Sequence, residues 1–224
     1  MHRRQAPGNT CLTAIRGGVQ GTVVFPVNNS KGCGGAMRIA PAGLIADSVT
    51  EAMRLGAELA AMTHGHPLGW LSAAAQAGMI QMCISGASVL QAVDRITELL
   101  PKLWPEHQDA SLMAAILDMA QRTAYMAIPD DEAVDALGAG WVGEEAVAIA
   151  VCCALRYPED VKGCLRMAVN HSGDSDSVGA IAGNLLGASL REDQLPRDWL
   201  ENIQGKELVI RAAEECVRGT GKKN

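Results

Sequence analysis

Residues 171–183 read HSGDSDSVGAIAG, a polar turn that runs directly into small and apolar residues. Asp174, Asp176 and Ser177 place two carboxylates and a hydroxyl where a helix is predicted to begin. Hard divalent cations such as Mg²⁺ and Ca²⁺ take oxygen ligands of this kind. Side chains two positions apart do not face each other on a helix, so the aspartates can share an ion only if Asp174 lies in the entering loop. The alternative is a solvated acidic helix cap, because carboxylates favour helix N-termini.

Three glycines follow this turn at a regular four-residue spacing: Gly179, Gly183 and Gly187. A solvated cap does not need them, whereas glycine lets a neighbouring helix or a ligand come close to the backbone. The spacing therefore favours a packed helix with a binding site at its start over a simple cap.

The composition predicts one helical domain. The chain has 224 residues, 48% of them apolar, with one Phe and two Tyr, and a core of Ala, Leu, Ile, Val and Met suits helix packing. The net charge of -6 argues against general binding of nucleic acid or anionic membranes. Seven cysteines without a C-x-x-C pair indicate reduced thiols and predict a cytoplasmic protein. We expect no secretory signal, and the longest apolar run, 146–155, is too short to cross a bilayer.

Helix-start and helix-stop signals divide most of the chain into predicted helices and the loops between them. Ser48 and Ser88 each open a capping-box spacing, and Pro101 is expected to end the helix that Ser88 begins. Residues 25–44 are predicted to be a loop, and no strand alternation is evident. The sequence thus predicts an all-α fold with helices at 48–64, 68–84, 88–101, 109–126, 144–156, 160–170, 177–190 and 206–218.

A glycine-rich loop is the second informative stretch, and residues 28–38 read NNSKGCGGAMR. Such loops hold phosphates with backbone N–H groups. Lys31 precedes the glycines and no Gly-Lys-Ser/Thr order occurs, so this is not a Walker A motif and P-loop nucleotide hydrolysis is disfavoured. The alternative is a tight turn without a ligand, with Lys31 and Arg38 as surface charges.

Together, the two stretches resemble the ADP-ribosylglycohydrolase family, which includes the dinitrogenase-reductase-activating glycohydrolase. Three further blocks match the family in the same order: APGNT at 6–10, THGHP at 63–67 and GAGWVGEEA at 138–146. The resemblance implies a compact, single-domain, orthogonal helical bundle over residues 1–218, and we expect a disordered tail at 219–224. It also implies a site for two Mg²⁺ ions, or Mn²⁺, at the floor of an ADP-ribose cleft.

The resemblance assigns Asp174, Asp176 and Ser177 to the family's C-terminal metal ligands, with the two aspartates as catalytic residues. The family's upstream Gly-Asp and Thr-Asp-Asp-Thr motifs, which supply the other half of its metal site, have no counterpart in this sequence. The acidic run 130–132 is interpreted as a helix N-terminus and not as their replacement. We therefore expect an N-terminally truncated member, either a fragment or half of a split protein whose partner chain supplies the missing ligands.

The substrate-binding residues are also assigned by the resemblance. His64 matches a residue that lies against the bound nucleotide, although a lone histidine near a helix end is more often a cap or a packing residue. Trp141 matches a loop beside the adenosine end, and the alternative is a core anchor. The loop that holds the diphosphate has asparagine in many relatives where this chain has Cys33. The full set is Ser30, Gly32, Cys33, Gly34, Gly35, His64, Gly140 and Trp141.

The reaction implied by the resemblance is metal-dependent hydrolysis of the bond between C1 of the distal ribose and a protein side chain, typically an arginine guanidinium. The implied ligands are ADP-ribose and ADP-ribosylated protein. Two alternatives stay open. One is a non-catalytic module that binds ADP-ribose or a nucleotide, and the other is an unrelated metal-dependent phosphohydrolase.

Overall fold

Helices make up nearly all the regular structure of the computed structural model, which describes residues 7–219. Over these residues the only pairing of extended backbone outside the helices is an isolated antiparallel bridge between Gly32 and Val142. The predicted all-α fold is confirmed. Its helices are α1 (Asn9–Gly17), α2 (Ala40–Ile45), α3 (Val49–Ala61), α4 (Pro67–Ile84), α5 (Val89–Leu103), α6 (Gln108–Ala124), α7 (Asp130–Asp135), α8 (Gly143–Arg156), α9 (Val161–Val169), α10 (Ser175–Ser189), α11 (Arg197–Asn202) and α12 (Lys206–Gly219), with short 3-10 helices at Cys33–Gly35 and Glu192–Gln194.

Helix α4 is the centre of the fold. Every residue from 68 to 81 is buried, as expected of a helix that is apolar on all sides. Helices α2, α3, α5, α6, α8 and α10 pack around it. Glycine makes the closest of these contacts possible, because a Cβ at Gly56 of α3 would lie 2.8 Å from the Cβ of Ala77. A core poor in aromatic residues is thus filled by close helix packing.

The first turn of α4 supports the glycine-rich loop. A Cβ at Gly69 would lie 2.9 Å from the carbonyl oxygen of Ser30, so the loop crosses this turn at backbone distance. The N–H of His66, the N-cap residue of α4, donates to the same carbonyl at 3.2 Å. The central helix therefore sets the position of the predicted phosphate-binding segment.

Two predictions about helix boundaries are wrong. Helix α5 continues through Pro101 to Leu103, because the missing N–H removes one hydrogen bond while the N–H of Trp104 still reaches the carbonyl of Leu100 at 3.3 Å. Residues 25–44, predicted to be a loop, contain the 3-10 helix and most of α2. Pro41 is compatible with α2 because it lies in the first turn, where N–H groups have no helical partner.

The predicted caps are largely confirmed. Ser88 and Gln91 form both hydrogen bonds of a capping box. Ser48 accepts from the N–H of Glu51 at 3.2 Å, but the Glu51 carboxylate accepts from the N–H of Asp47 and not from that of Ser48. Helix α3 therefore has one of the two hydrogen bonds of a capping box, the one from the N–H of Glu51 to the Ser48 hydroxyl.

The glycine spacing in α10 brings a neighbour close at one position. A Cβ at Gly179 would lie 2.7 Å from Val169 of α9, whereas one at Gly183 would make an ordinary contact and one at Gly187 would meet open space.

Within residues 7–219 no helix is long and apolar enough to cross a membrane. The tail predicted at 219–224 lies outside the described residues except for Gly219, which ends α12.

Candidate active site

Three segments that are far apart in sequence meet in the structure: the glycine-rich loop (30–35), the tryptophan loop (138–143) and the aspartate turn (171–177). The N–H of Cys33 donates to the carbonyl of Trp141 at 3.2 Å. From the third segment, the N–H of Asp174 donates to the carbonyl of Ala139 at 2.8 Å. The tryptophan loop thus connects the other two.

Two glycines and one carboxylate shape the tryptophan loop. Gly138 and Gly140 have φ values of 118° and 77°, which L side chains rarely adopt. The Glu145 carboxylate, in the first turn of α8, accepts from the N–H groups of Ala139 at 3.0 Å and Gly140 at 3.1 Å. The loop is therefore held as a fixed turn that presents the indole of Trp141 outward. Trp141 is 61% exposed, so its core-anchor alternative is wrong.

The aspartate turn has the arrangement that the spacing predicts. Asp174 is the N-cap residue of α10, and Asp176 lies in the first turn of the helix. Asp174 and Ser177 are 9% and 3% exposed, whereas Asp176 is exposed to solvent. The solvated-cap alternative is therefore wrong for Asp174, whose side chain turns inward to accept from the N–H of Ser177.

The Cys33 side chain joins the glycine-rich loop to the aspartate turn. Its S–H donates to Oδ2 of Asp174 at 2.8 Å, and its sulfur lies 3.3 Å from the Ser177 hydroxyl. Burial, together with the hydrogen bond to Asp174, raises the pKa of Cys33 to about 12, so the group is a neutral thiol. The thiol therefore supplies a hydrogen-bond donor from the glycine-rich loop to the aspartate turn.

Asp174 is the charged partner in this contact. Burial raises the pKa of its carboxyl, but hydrogen bonds with Cys33, Asp176 and Ser177 outweigh that effect and hold the pKa below its ordinary value. The carboxylate is therefore ionised at neutral pH, in the form that binds a cation.

An ion pair that the sequence gives no reason to expect links the glycine-rich loop to α8. The ammonium of Lys31 contacts the carboxylate of Glu144, whose side chain is only 7% exposed. The other carboxylate oxygen of Glu144 is buried without a hydrogen-bond partner. Arg38 also has fixed partners, since it donates to the carbonyl of Gly34 and the hydroxyl of Thr63. The surface-charge alternative is therefore wrong for Lys31, which pairs with a buried carboxylate, whereas Arg38 is a surface charge with fixed partners.

His64 packs against the glycine-rich loop. It is 2% exposed, and a Cβ placed on Gly34 would lie 3.3 Å from its ring. Burial and the nearby charge of Arg38 lower the pKa of His64 to about 4. A hydrogen bond within the glycine-rich loop holds its first turn, because the hydroxyl of Ser30 accepts from the N–H of Gly32 at 3.3 Å.

The aspartate turn fits a hard divalent cation in the type of its donors but fills only part of a coordination shell. Asp174 and Asp176 offer carboxylate oxygens and Ser177 offers a hydroxyl. Within residues 7–219, no cluster of three or more His, Cys, Asp or Glu side chains could hold a metal ion. Mg²⁺ takes six oxygen ligands and commonly keeps several waters. These three residues alone would therefore leave about half of such a shell to other ligands.

Comparison with known proteins identifies the fold family. The family model described as ADP-ribosylglycohydrolase matches residues 1–224. The chain belongs to this family. Human ADP-ribosylhydrolase ARH3 is 28% identical over 218 residues, which cover 87% of this chain and 60% of the human protein. ADP-ribosyl-dinitrogen reductase glycohydrolase of Rhodospirillum rubrum is 28% identical over 207 residues, which cover 89% of this chain and 60% of that protein.

The chain thus spans about 60% of the length of these curated relatives. Membership in the ADP-ribosylglycohydrolase family confirms the resemblance seen in the sequence motifs. The roles that the resemblance assigns to individual residues, and the identity of the metal, stay predictions.

Proposed function

We propose that the chain hydrolyses the N-glycosidic bond of ADP-ribosylated protein and releases ADP-ribose, with an arginine guanidinium as the acceptor. The main support is the contact of Cys33 with Asp174 and Ser177, which joins the predicted diphosphate loop to the predicted metal ligands. In ADP-ribose the distal ribose is attached directly to the diphosphate. A diphosphate on this loop would therefore bring the reacting sugar close to the aspartate turn.

Each segment has its own part in this proposal. Backbone N–H groups of Gly34 and Gly35 bind the diphosphate, and the exposed indole of Trp141 contacts the adenosine end. Asp176 is exposed beside Asp174, so its carboxylate accepts the proton of the attacking water. The ionised Asp174 offsets the positive charge that develops on the ribose as the bond to the acceptor breaks.

Asp174, Asp176 and Ser177 would hold Mg²⁺, with Mn²⁺ as the alternative ion. When bound, the ion lowers the pKa of a coordinated water and orients the substrate. The family resemblance implies two ions. The further ligands would come from water, from the substrate or from groups outside residues 7–219, a separate chain included. Cytoplasmic location and the lack of nucleic-acid or membrane partners are predictions from the composition.

The test is release of ADP-ribose from a protein modified on arginine, measured with and without Mg²⁺. We expect Asp174→Asn to abolish release because it removes a charged ligand while keeping the side-chain shape. Asp131→Asn is the matched control, since Asp131 is an exposed carboxylate in the first turn of α7. Release that persists in a folded Asp174→Asn variant, as judged by circular dichroism, contradicts the proposal.

A non-catalytic ADP-ribose-binding module is the second candidate. It is favoured by the incomplete donor set, because three oxygen-bearing residues alone hold Mg²⁺ weakly. Calorimetric titration with ADP-ribose, with and without Mg²⁺, separates the two candidates. Binding that ignores the metal, together with no release from modified protein, supports the module.

A further inference from the structure

Arg38, Thr63 and His64 form a hydrogen-bonded row behind the glycine-rich loop. Nη2 of Arg38 donates to the hydroxyl oxygen of Thr63 at 2.7 Å, and that oxygen lies 2.8 Å from Nδ1 of His64. The guanidinium is held in place at its other end, where Nη1 donates to the carbonyl of Gly34 at 2.9 Å and contacts the sulfur of Cys11 at 3.2 Å. With both ends of the row fixed, the position of each proton follows from the contacts.

Arginine has only donors, so the Thr63 oxygen accepts from Arg38. The single hydroxyl proton of Thr63 has two neighbouring acceptors, Nδ1 of His64 at 2.8 Å and the carbonyl of Ala60 at 3.5 Å. The shorter contact takes the proton, because hydrogen bonds between an O–H donor and its acceptor are normally shorter than 3.0 Å. Nδ1 of His64 is therefore an acceptor and carries no proton of its own.

The remaining ring proton lies on Nε2. Burial and the charge of Arg38 lower the pKa of His64 to about 4, so the imidazole is neutral at physiological pH and has one N–H. Nε2 faces the glycine-rich loop, because a Cβ at Gly32 would lie 3.5 Å from it and one at Gly34 would lie 3.3 Å from it. Among residues 7–219 no group accepts a hydrogen bond from Nε2. A buried side chain thus directs an unused donor at the predicted diphosphate loop.

We infer that Arg38 and Thr63 are positioning residues that hold His64 in its Nε2–H tautomer, so that this N–H donates to a diphosphate oxygen of the bound ligand. The inference rests on the proposed ADP-ribose ligand. A side chain at position 34 would crowd the ring, because its Cβ would lie 3.3 Å from Nε2, whereas one at position 32 would make an ordinary contact at 3.5 Å. Thr63 acts through His64, and Arg38 acts on the tautomer through Thr63, in addition to its own hydrogen bond to the carbonyl of Gly34.

The tautomer can be measured without a ligand. In the full chain labelled with ¹⁵N at histidine, the protonated and bare ring nitrogens have different chemical shifts, and only five histidines contribute. His64→Gln identifies the signals. We expect wild type to show Nε2–H alone, Thr63→Val to show a mixture of tautomers, and Thr63→Ser to restore the wild-type pattern. Thr97→Val is the matched control, since the buried Thr97 hydroxyl has no hydrogen-bond partner.

Calorimetric titration with ADP-ribose then links the tautomer to the ligand. We expect Thr63→Val to weaken binding about tenfold, the effect of one lost hydrogen bond to a charged group, while Thr63→Ser and Thr97→Val bind as wild type does. A wild-type mixture of tautomers overturns the inference, and so does weaker binding by Thr63→Val with an unchanged tautomer.

A second variant and the ligand-free tautomer signals test the inference if Thr63→Val does not fold or if the protein does not bind ADP-ribose. Should Thr63→Val fail to fold, Arg38→Met tests the row from its other end, and a pure Nε2–H tautomer in that variant counts against the inference. A wild-type protein that does not bind ADP-ribose would refute the proposed function. The tautomer signals would still decide whether Arg38 and Thr63 control the protonation of His64.

Discussion

The Cys33 thiol makes a side-chain contact between two predicted halves of the site. Cys33 and Cys83 are both buried, but only the Cys33 thiol donates to a charged group, the carboxylate of Asp174. Hydrogen bonds to charged partners contribute more than neutral ones, so we expect Cys33→Ala to lower the free energy of unfolding by about 2 kcal/mol more than Cys83→Ala. Urea denaturation of both variants at pH 7 measures the difference.

Substitution of Cys33 by serine distinguishes the contribution of the hydrogen bond to stability from that of side-chain packing. Cys33→Ser keeps a donor for Asp174 and should recover most of the loss caused by alanine. Equal losses in Cys33→Ala and Cys83→Ala would mean that the contact with Asp174 adds nothing to stability.

His64 predicts a pH dependence of a defined sign. Its pKa falls from 6.5 in the unfolded chain to about 4 in the folded protein, because burial disfavours the charged ring. Below pH 6.5 the unfolded state therefore binds the proton first, so folding stability decreases between pH 6.5 and pH 4 and is unaffected above pH 7. The total decrease from this residue is about 3 kcal/mol.

Urea denaturation at pH 7.5 and pH 4.5 measures this effect in wild type and in His64→Gln. Glutamine cannot titrate, so the variant should lose less stability between the two pH values than wild type loses. The same decrease in both proteins would show that His64 is not the group responsible.

Residue-scale predictions from sequence succeed where the decisive neighbours are close along the chain. Asp174, Asp176 and Ser177 lie within four positions, so the start of α10 and the N-cap role of Asp174 follow from local spacing. The ion pair of Lys31 with Glu144 joins residues 113 positions apart. No local pattern relates such residues, because their contact exists only once α8 has packed beside the glycine-rich loop.

At the scale of elements, capping signals predict where helices begin better than proline predicts where they end. Ser88 forms its capping box, since both hydrogen bonds are local. Pro101 does not end α5, because the buried Leu100 and the contact of Trp104 with Trp70 keep the last turn packed on α4. The sequence does not predict helices α1 and α11, since neither contains a buried residue that would give a periodic apolar signal.

The junction between the tryptophan loop and the aspartate turn depends on one glycine. A Cβ at Gly173 would overlap the carbonyl oxygen of Ala139, the same oxygen that accepts from the N–H of Asp174. We expect Gly173→Ala to separate the two segments, to lower the free energy of unfolding by about 3 kcal/mol and to abolish ADP-ribose binding. Thermal denaturation and calorimetric titration check the two effects.

Gly187 is the matched control for this substitution. It lies in α10 with open space around the position of a Cβ, so Gly187→Ala should stabilise the helix by about 0.5–1 kcal/mol and leave binding unchanged. If Gly173→Ala were as stable as wild type, the close approach of the two segments would not be required.

At the scale of the whole molecule, the candidate site is built from parts of the core. The glycine-rich loop crosses the first turn of α4, the tryptophan loop leads into α8, and the aspartate turn begins α10, and these three helices pack on one another. Backbone hydrogen bonds join the tryptophan loop to each of the other two segments. A ligand that contacts all three segments therefore binds the folded state and not the unfolded chain.

This arrangement predicts a large thermal shift. A ligand at 100 times its dissociation constant stabilises the folded state by about 2.7 kcal/mol, which raises the melting temperature of a chain of this size by about 5–10 °C. We expect ADP-ribose with Mg²⁺ to produce this shift in wild type, measured by scanning calorimetry at increasing ligand concentration. In Asp174→Asn the part of the shift that requires Mg²⁺ should disappear, because the ion loses its buried charged ligand, whereas Asp131→Asn should behave as wild type. A melting temperature that stays constant up to millimolar ADP-ribose would mean that the three segments do not form one binding site.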